Sequence, residues 1–309
     1  MIRFLLLCLL PFACLRAAPS AERCYLFAYF LVNGDDGLHL AWSDDGLRFE
    51  EIVPGKSFLK PAVGESRIMR DPCLFRAPDG RFHLVWTTDW AGKTIGYASS
   101  PDLLHWSAQK AIPVMAHEPK AQNCWAPELT WDPATREFVI FWSTTILGLF
   151  PETENSNRRP DRNHRIYSTR TRDFEHFTPT RLHYNGGFNV IDATIAANGD
   201  SWLMFVKNET FAPKTEKNIR MIRCATIDGP FSEPSPAITG AYWAEGPSAL
   251  CRDGVWYVYF DKHMENKYGL VRSKDLKSWE DLSDQVSFPK DARHGTVLEV
   301  PRSLVDSLR

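Results

Sequence analysis

A chain of 309 residues with 36 basic and 38 acidic side chains has no net field to draw it to nucleic acid. That length suits one large domain, and no linker-like stretch argues for two. Aromatics make up 13% of the chain, with eleven Trp, a level that suits β architectures and sugar-binding sites alike and decides neither.

The first predicted element is a targeting segment. Arg3 gives it a positive start, residues 4–15 an apolar stretch too short to span a bilayer, and Ala17 and Ala18 a cleavage site. Residues 1–18 therefore read as a signal peptide, and the mature chain as secreted or periplasmic with no membrane span. Pro-Phe-Ala ahead of Cys14 makes a poor lipobox, which argues against a lipid anchor. Cys24, Cys73, Cys124, Cys224 and Cys251 remain, scattered and without CxxC spacing, so neither a zinc site nor a disulfide scaffold is indicated.

Short strands follow in a repeating order. Residues 25–31 and 38–42 lead into a turn in which Ser43, Asp45 and Phe49 keep a fixed spacing. The same spacing returns at Ser100, Asp102 and Trp106, at Thr171, Asp173 and Phe177, and at Ser273, Asp275 and Trp279. Thr226, Asp228 and Phe231 form a degenerate copy. Each Asp is expected to bond backbone N–H groups two residues on, and the aromatic to open the next strand. Two further strands precede each later copy: 71–75 and 81–87, 126–131 and 138–143, 190–197 and 202–206, 246–251 and 255–260. Most are joined by Gly or Asp turns such as Pro78-Asp79-Gly80, Asn198-Gly199 and Asp253-Gly254.

Five repeats of four strands predict an all-β, five-bladed β-propeller that fills residues 19–309 as one catalytic domain. No inner strand precedes residue 25, but a spare one stands at 295–300. The two termini are therefore expected to close blade five, which hides an open sheet edge. A two-sheet sandwich does not explain five copies with the ends exchanged.

Topology then sorts the acidic residues. The inner strand of each blade lines the central channel, and its first residue sits at one mouth. Those first positions are read as Asp71, Ala126, Asp192, Glu245 and His294, with Pro72, Pro127 and Pro247 close behind, where no ladder donor is needed. Asp45, Asp102, Asp173 and Asp275 fall at the opposite face and are assigned to turns. Asp192 interrupts the apolar run Val190-Ile191 and Ala193-Thr194-Ile195, where a charge is costly unless it is paired or functional. Two carboxyl groups flanking a glycosidic bond suffice for hydrolysis: one protonates the leaving oxygen, the other activates water or attacks. A third nearby raises the acid's pKa by repulsion.

With Arg70-Asp71-Pro72, Trp125-Ala126-Pro127-Glu128, Ile191-Asp192, Glu245-Gly246-Pro247 and His294-Gly295 in that order, the chain resembles glycoside hydrolase family 43 over nearly its whole mature length. The resemblance implies an inverting mechanism with Asp71 as general base, Glu245 as general acid and Asp192 as the pKa modulator that orients the acid. It implies exo-release of α-L-arabinofuranose or β-D-xylose, or of a galactose-type sugar, from plant-type polysaccharides or oligosaccharides. A longer stretch precedes the first Asp-Pro than in many relatives, which leaves the subfamily and the sugar open.

Trp125, His294, Trp90 and Arg70 are the candidate substrate contacts, with Trp243 and Arg293 weaker ones. For Trp125 the competing reading is packing within the blade, and for His294 a satisfied structural histidine. No cofactor is required. A structural calcium ion on the axis, helped by His294, is the one metal the resemblance leaves open. Two loops, 147–163 and 208–218, are long and polar, and are expected to wall the mouth into a pocket that takes single terminal sugars. Two other functions fit less of the pattern. Fructan and sucrose hydrolases share Arg-Asp-Pro and retain configuration, but their Asn-Asp-Pro-Asn segment is absent here. A non-catalytic carbohydrate-binding propeller has no need of three axial carboxylates.

Overall fold

Four of the five recurrent turns fold as their residues require. Asp45, Asp102, Asp173 and Asp275 each accept two backbone N–H groups, from the residues two and three positions on, at 2.7–3.0 Å. The Ser or Thr that opens each motif accepts a further N–H, from Gly46, Leu103, Phe174 or Leu276. The degenerate copy differs: Asp228 instead pairs with Arg170 at 2.7 Å and with Arg181.

The computed structural model describes residues 23–157 and 159–309, and the expected leader, residues 1–18 with Cys14, lies outside them. The chain opens with β1 (Arg23–Leu31), β2 (His39–Ser43) and β3 (Glu50–Glu51). Blade one is β4 (Arg70–Arg76), β5 (Phe82–Thr87), β6 (Ile95–Ser100) and β7 (Lys110–Ile112). Blade two is β8 (Trp125–Asp132), β9 (Glu137–Thr145), β10 (His164–Thr171) and β11 (Arg181–Tyr184). Blade three is β12 (Val190–Asn198), β13 (Ser201–Asn208), β14 (Asn218–Thr226) and β15 (Gly229–Phe231). Blade four is β16 (Glu245–Arg252), β17 (Val255–Lys262), β18 (Lys267–Ser273) and β19 (Glu280–Asp281). β20 (Ala292–Pro301) and the short α1 (Arg302–Leu308) end the chain.

Among the described residues these strands form five four-stranded sheets, the fifth in the order β20-β1-β2-β3. β20 runs antiparallel to β1, with Cys24 opposite Val300 and Phe27 opposite Val297. The propeller is thus closed by its two ends.

The core is divided into wedges between neighbouring blades. Along β9, Val139 and Phe141 enter the wedge toward blade three while Ile140 and Trp142 enter the wedge toward blade one. Along β13, Met204 and Val206 face blade two while Leu203 and Phe205 face blade four. Successive strand residues point to opposite faces, so a strand buried on both sides needs a continuous apolar run. Trp86 and Trp142 are almost fully buried, each stabilising the fold by roughly 2–3 kcal/mol. Trp86 requires its glycine neighbour: a Cβ on Gly96 would lie 2.0 Å from the indole.

Candidate active site

Each inner strand breaks its ladder at the same mouth of the channel. The register shifts between Arg70 and Cys73, Trp125 and Glu128, Ile191 and Thr194, and Glu245 and Ser248, and β1 shifts opposite Arg293 and Thr296. At these bulges Asp71, Ala126, Asp192 and Gly246 have φ of 50°, 45°, 54° and 58°. For the three that carry a Cβ this left-handed conformation costs on the order of 1 kcal/mol each. A bulge re-aims the side chain that it carries, and here it aims two aspartates into the mouth.

This register corrects one expectation. Asp71, Ala126, Asp192 and His294 occupy equivalent positions, but the fourth blade places Gly246 there. Glu245 lies one residue earlier, level with Arg70, Trp125, Ile191 and Arg293. Pro72, Pro127 and Pro247 each follow the bulge residue itself.

The second strands hold the bulges in place. Opposite the mouth residues stand Thr87, Ser143, Lys207 and Asp261. Thr87 Oγ1 accepts the Ala126 N–H and donates to Asp71, both at 2.8 Å. Ser143 Oγ accepts the Asp192 N–H at 3.1 Å, and Asp261 the His294 N–H at 3.2 Å. Lys207 has no lone pair to offer, and the Gly246 N–H donates instead to Asp192 at 3.1 Å. The Asp192 carboxylate therefore sits on the peptide that follows Glu245. The His294 ring covers Gly246 so closely that a Cβ there would lie 2.4 Å from it.

Asp71, Asp192, Glu245, Trp125, His294, Trp90 and Arg70 all line one pocket of about 430 Å³. Its rim comes from loops that join second to third strands, contributing Asn33, Trp90, Arg162 and Glu209. The two long loops touch, since the N–H groups of Phe211 and Ala212 both donate to Ser156 O, at 2.6 and 3.1 Å. Trp243 stands outside the pocket against Phe211 and His263. A larger cavity of about 560 Å³ opens at the other end of the axis, but Leu74, Phe75, Leu129, Trp131 and Leu250 give it an apolar wall. The carboxyl it shares with the channel interior is that of Glu128, bonded by Thr194 at 3.1 Å. Convergent polar groups mark a reactive site, and they lie at the smaller pocket.

Apart from Arg293, sequence reasoning missed a second tier of charge. Lys207 Nζ lies 2.8 Å from Glu245 and 2.7 Å from Glu209, which also meets Lys217. Arg293 bonds Asp261 at 2.8 Å and reaches Glu245 at 3.5 Å, and His263 lies 3.3 Å from Glu245. Lys207 and Asp261 each end an apolar strand run, the same signal that singled out Asp192. Arg162, Glu209 and His263 sit on loops and carry no motif.

These contacts set opposite protonation states for the three acids. Burial resists the ionisation of Asp71, but the bond and charge of His294, with Arg70 and Thr87, bring it down to about 2. Burial also resists ionisation of Glu245, and the charges of Lys207 and His263 overcome it, again to about 2. Asp192 is pushed up to about 6 by burial, which His294 and Lys207 only partly offset while Glu245 and Asp71 add to it. Burial lowers His294, yet its bond to Asp71, at 3.4 Å, and the surrounding carboxylates raise it to about 9.

Among the described residues no three His, Cys, Asp or Glu side chains are arranged to hold a metal, and His294 faces the carboxylates as a cation.

A propeller with three carboxyl groups of divided protonation in one axial pocket has the equipment of a glycosidase. A family model described as a probable glycosyl hydrolase domain, related to glycoside hydrolase family 43, matches residues 21–306, and the chain belongs to that family. An α-L-arabinofuranosidase of Bifidobacterium longum subsp. longum is 24% identical over 197 residues, covering 54% of this chain and 18% of that protein. This chain thus spans under a fifth of that relative's length. Among solved structures, an α-L-arabinofuranosidase from Lactobacillus brevis superposes with a TM-score of 0.54 at 18% identity, covering 70% of this chain and 72% of that one. A family 43 β-1,3-galactosidase superposes at 0.55 with 13% identity, covering 72% and 78%. Both likenesses concern the fold.

Proposed function

We propose that this chain is a secreted, exo-acting, inverting glycoside hydrolase. It removes a terminal sugar, α-L-arabinofuranose or β-D-xylose before a galactose-type sugar, from plant-type polysaccharides or oligosaccharides. The observation that carries this reading is the convergence of three carboxyl groups, from three blades, on one walled pocket. Asp71, ionised from about pH 2 upward, is the base that takes a proton from the attacking water. Glu245 is the acid that protonates the leaving oxygen, and Asp192 sets its proton affinity.

In the resting pocket the proton taken up near pH 6 lies on Asp192, because Glu245 has Lys207 as a partner. Lys207 already touches Glu209 at 2.7 Å. A sugar entering beside Glu245 shifts Lys207 wholly onto Glu209 and excludes water, and the proton passes to Glu245. No resident metal is needed in this scheme, since His294 supplies positive charge beside Asp71. The touching loops close the pocket on one side, which favours terminal residues over internal ones.

The test is a panel of p-nitrophenyl α-L-arabinofuranoside, β-D-xyloside, β-D-galactoside and β-D-galactofuranoside. Turnover of one, abolished by Asp71→Asn and reduced by Glu245→Gln, supports the reading. Binding of oligosaccharides with no turnover of any substrate supports a non-catalytic propeller instead. NMR of the first-formed anomer separates inversion from the retention expected of a fructan-hydrolase-like enzyme.

A further inference from the structure

The pocket sets five cationic side chains against four carboxyl groups. Arg70, Arg162, Lys207, Arg293 and His294 face Asp71, Asp192, Glu209 and Glu245. Three of these cations are engaged: Lys207 with Glu209 and Glu245, Arg293 with Asp261 and Glu245, and His294 with Asp71. Arg70 and Arg162 make no ion pair within 4 Å among the described residues, although the charge of Arg70 acts on Asp71 and those of Asp161 and Glu209 act on Arg162. Arg70 donates once, to Val32 O at 3.3 Å, and its guanidinium lies 4.2 Å from the centre of the Trp90 ring. Arg162 lies 4.4 Å from the centre of the Trp125 ring. The two indoles meet edge to face at 5.9 Å, and the Trp125 N–H donates to Trp90 O, so the two Arg–Trp stacks stand side by side on the rim.

Stacking fixes a guanidinium by its face and leaves its N–H edges free, which is the geometry that takes a carboxylate through two parallel bonds. A neutral sugar offers no charge to balance two such groups. Burial, with the like charge of Arg159 beside it, pushes the pKa of Arg162 down, and the charges of Asp161 and Glu209 only partly offset this.

We propose that the substrate is an acidic glycan, in which the sugar on the leaving side of the scissile bond is a uronate whose carboxylate is held by Arg70 and Arg162. One placement puts the acid on the leaving side. A second groove of about 330 Å³ adjoins the pocket beyond the indoles, sharing Trp90, Trp125 and Arg162 with it and adding Gln122 and the ion pair of Arg159 with Asp161. It has room for the sugar that follows the terminal one. Arg70 and Arg162 then choose the substrate, and this assignment rests on the glycosidase reading for its orientation.

The experiment is calorimetric titration of the full chain with di- and trisaccharides of galacturonate and of glucuronate. Each is compared with its carboxyl-reduced, neutral counterpart. At least one acid oligomer is expected to bind tenfold or more tightly than its reduced form, with the preference shrinking as salt is added. Arg162→Gln and Arg70→Gln are each expected to erase most of that preference, the acid form losing at least about five times more affinity than the neutral form. Equal binding of acid and reduced forms, or binding of no acid oligomer, overturns the proposal, as does a preference that survives both substitutions. Hydrolysis of neutral aryl glycosides is a separate readout. A chain that cleaves them yet ignores the uronate loses only this inference, whereas one that binds uronates and cleaves nothing loses the glycosidase reading.

Discussion

Asp173 and Asp192 lie close in the sequence, and the propeller uses them in opposite ways. Asp173 is exposed and accepts two backbone N–H groups and a His176 bond, which hold it well below the usual carboxylate range. Asp192 is buried on the axis, accepts one N–H, and is pushed up to about 6. Residue type is the same in both. The difference comes from the strand end each occupies: the turn before an outer strand cages an ionised Asp, while the bulge at an inner strand's start strips it of water beside other acids.

Several substitutions sharpen or break this contrast, and the largest effects belong to the axis. Glu245→Gln removes the proton donor, so kcat on substrates with poor leaving groups is expected to fall by about 10²–10⁴. The loss should be smaller on p-nitrophenyl glycosides, whose leaving group needs little protonation. An equal loss on both kinds of substrate would argue against Glu245 as the acid.

Gly246→Ala should cost tenfold or more in kcat/KM, because the new Cβ displaces the His294 ring that holds Asp71. A normal melting temperature with lost activity would place the effect on His294; unchanged activity would remove His294 from the mechanism.

Lys207→Met acts on the pH profile. The rate should rise as Asp71 ionises near pH 2 and decline as the Asp192–Glu245 pair loses its proton near pH 6. Removing a neighbouring cation favours the protonated carboxyl, so the upper limb is expected to move to higher pH. A limb that stays in place, or moves down, contradicts the role given to Lys207.

Smaller still is the effect at Glu128, a buried carboxyl that burial pushes up to about 7. An acid whose folded pKa exceeds its unfolded value, here 4.5, costs stability as pH rises from the unfolded value through the folded one. Glu128→Gln is therefore expected to melt a few degrees higher than the parent at pH 8 and close to it at pH 4, as followed by circular dichroism. At the opposite face Asp173→Ala should lower the melting temperature slightly, as the loss of a turn cap does, with kcat unchanged.

The fold was legible because its signals are local and repeated. A Ser or Thr, an Asp and an aromatic at fixed spacing make a turn wherever they occur, and the extra strand at 295–300 had only the missing edge of blade five to fill. The acids on the inner strands were legible by local signals too, Asp71 and Glu245 by the prolines that mark their strand starts and Asp192 by the apolar run it interrupts. Glu245 was placed one position too low because its own strand has Gly246 at the bulge, and the run Glu-Gly-Pro does not say which of its residues turns inward. The tier around it was hidden. Lys207 reaches Glu245 across a blade boundary, from a position where two other blades carry Thr87 and Ser143. Arg162 comes from a loop whose path no periodicity records. Contacts between blades depend on how the ring closes, and a single blade's sequence does not contain that.

The most direct measurement is kcat/KM for Asp71→Asn beside Asp173→Asn on whichever aryl glycoside the parent cleaves. The account predicts activity at least about a hundredfold lower for Asp71→Asn, with Asp173→Asn within twofold of the parent. Two variants of equal activity would show that the axial mouth is not where this chain does its chemistry.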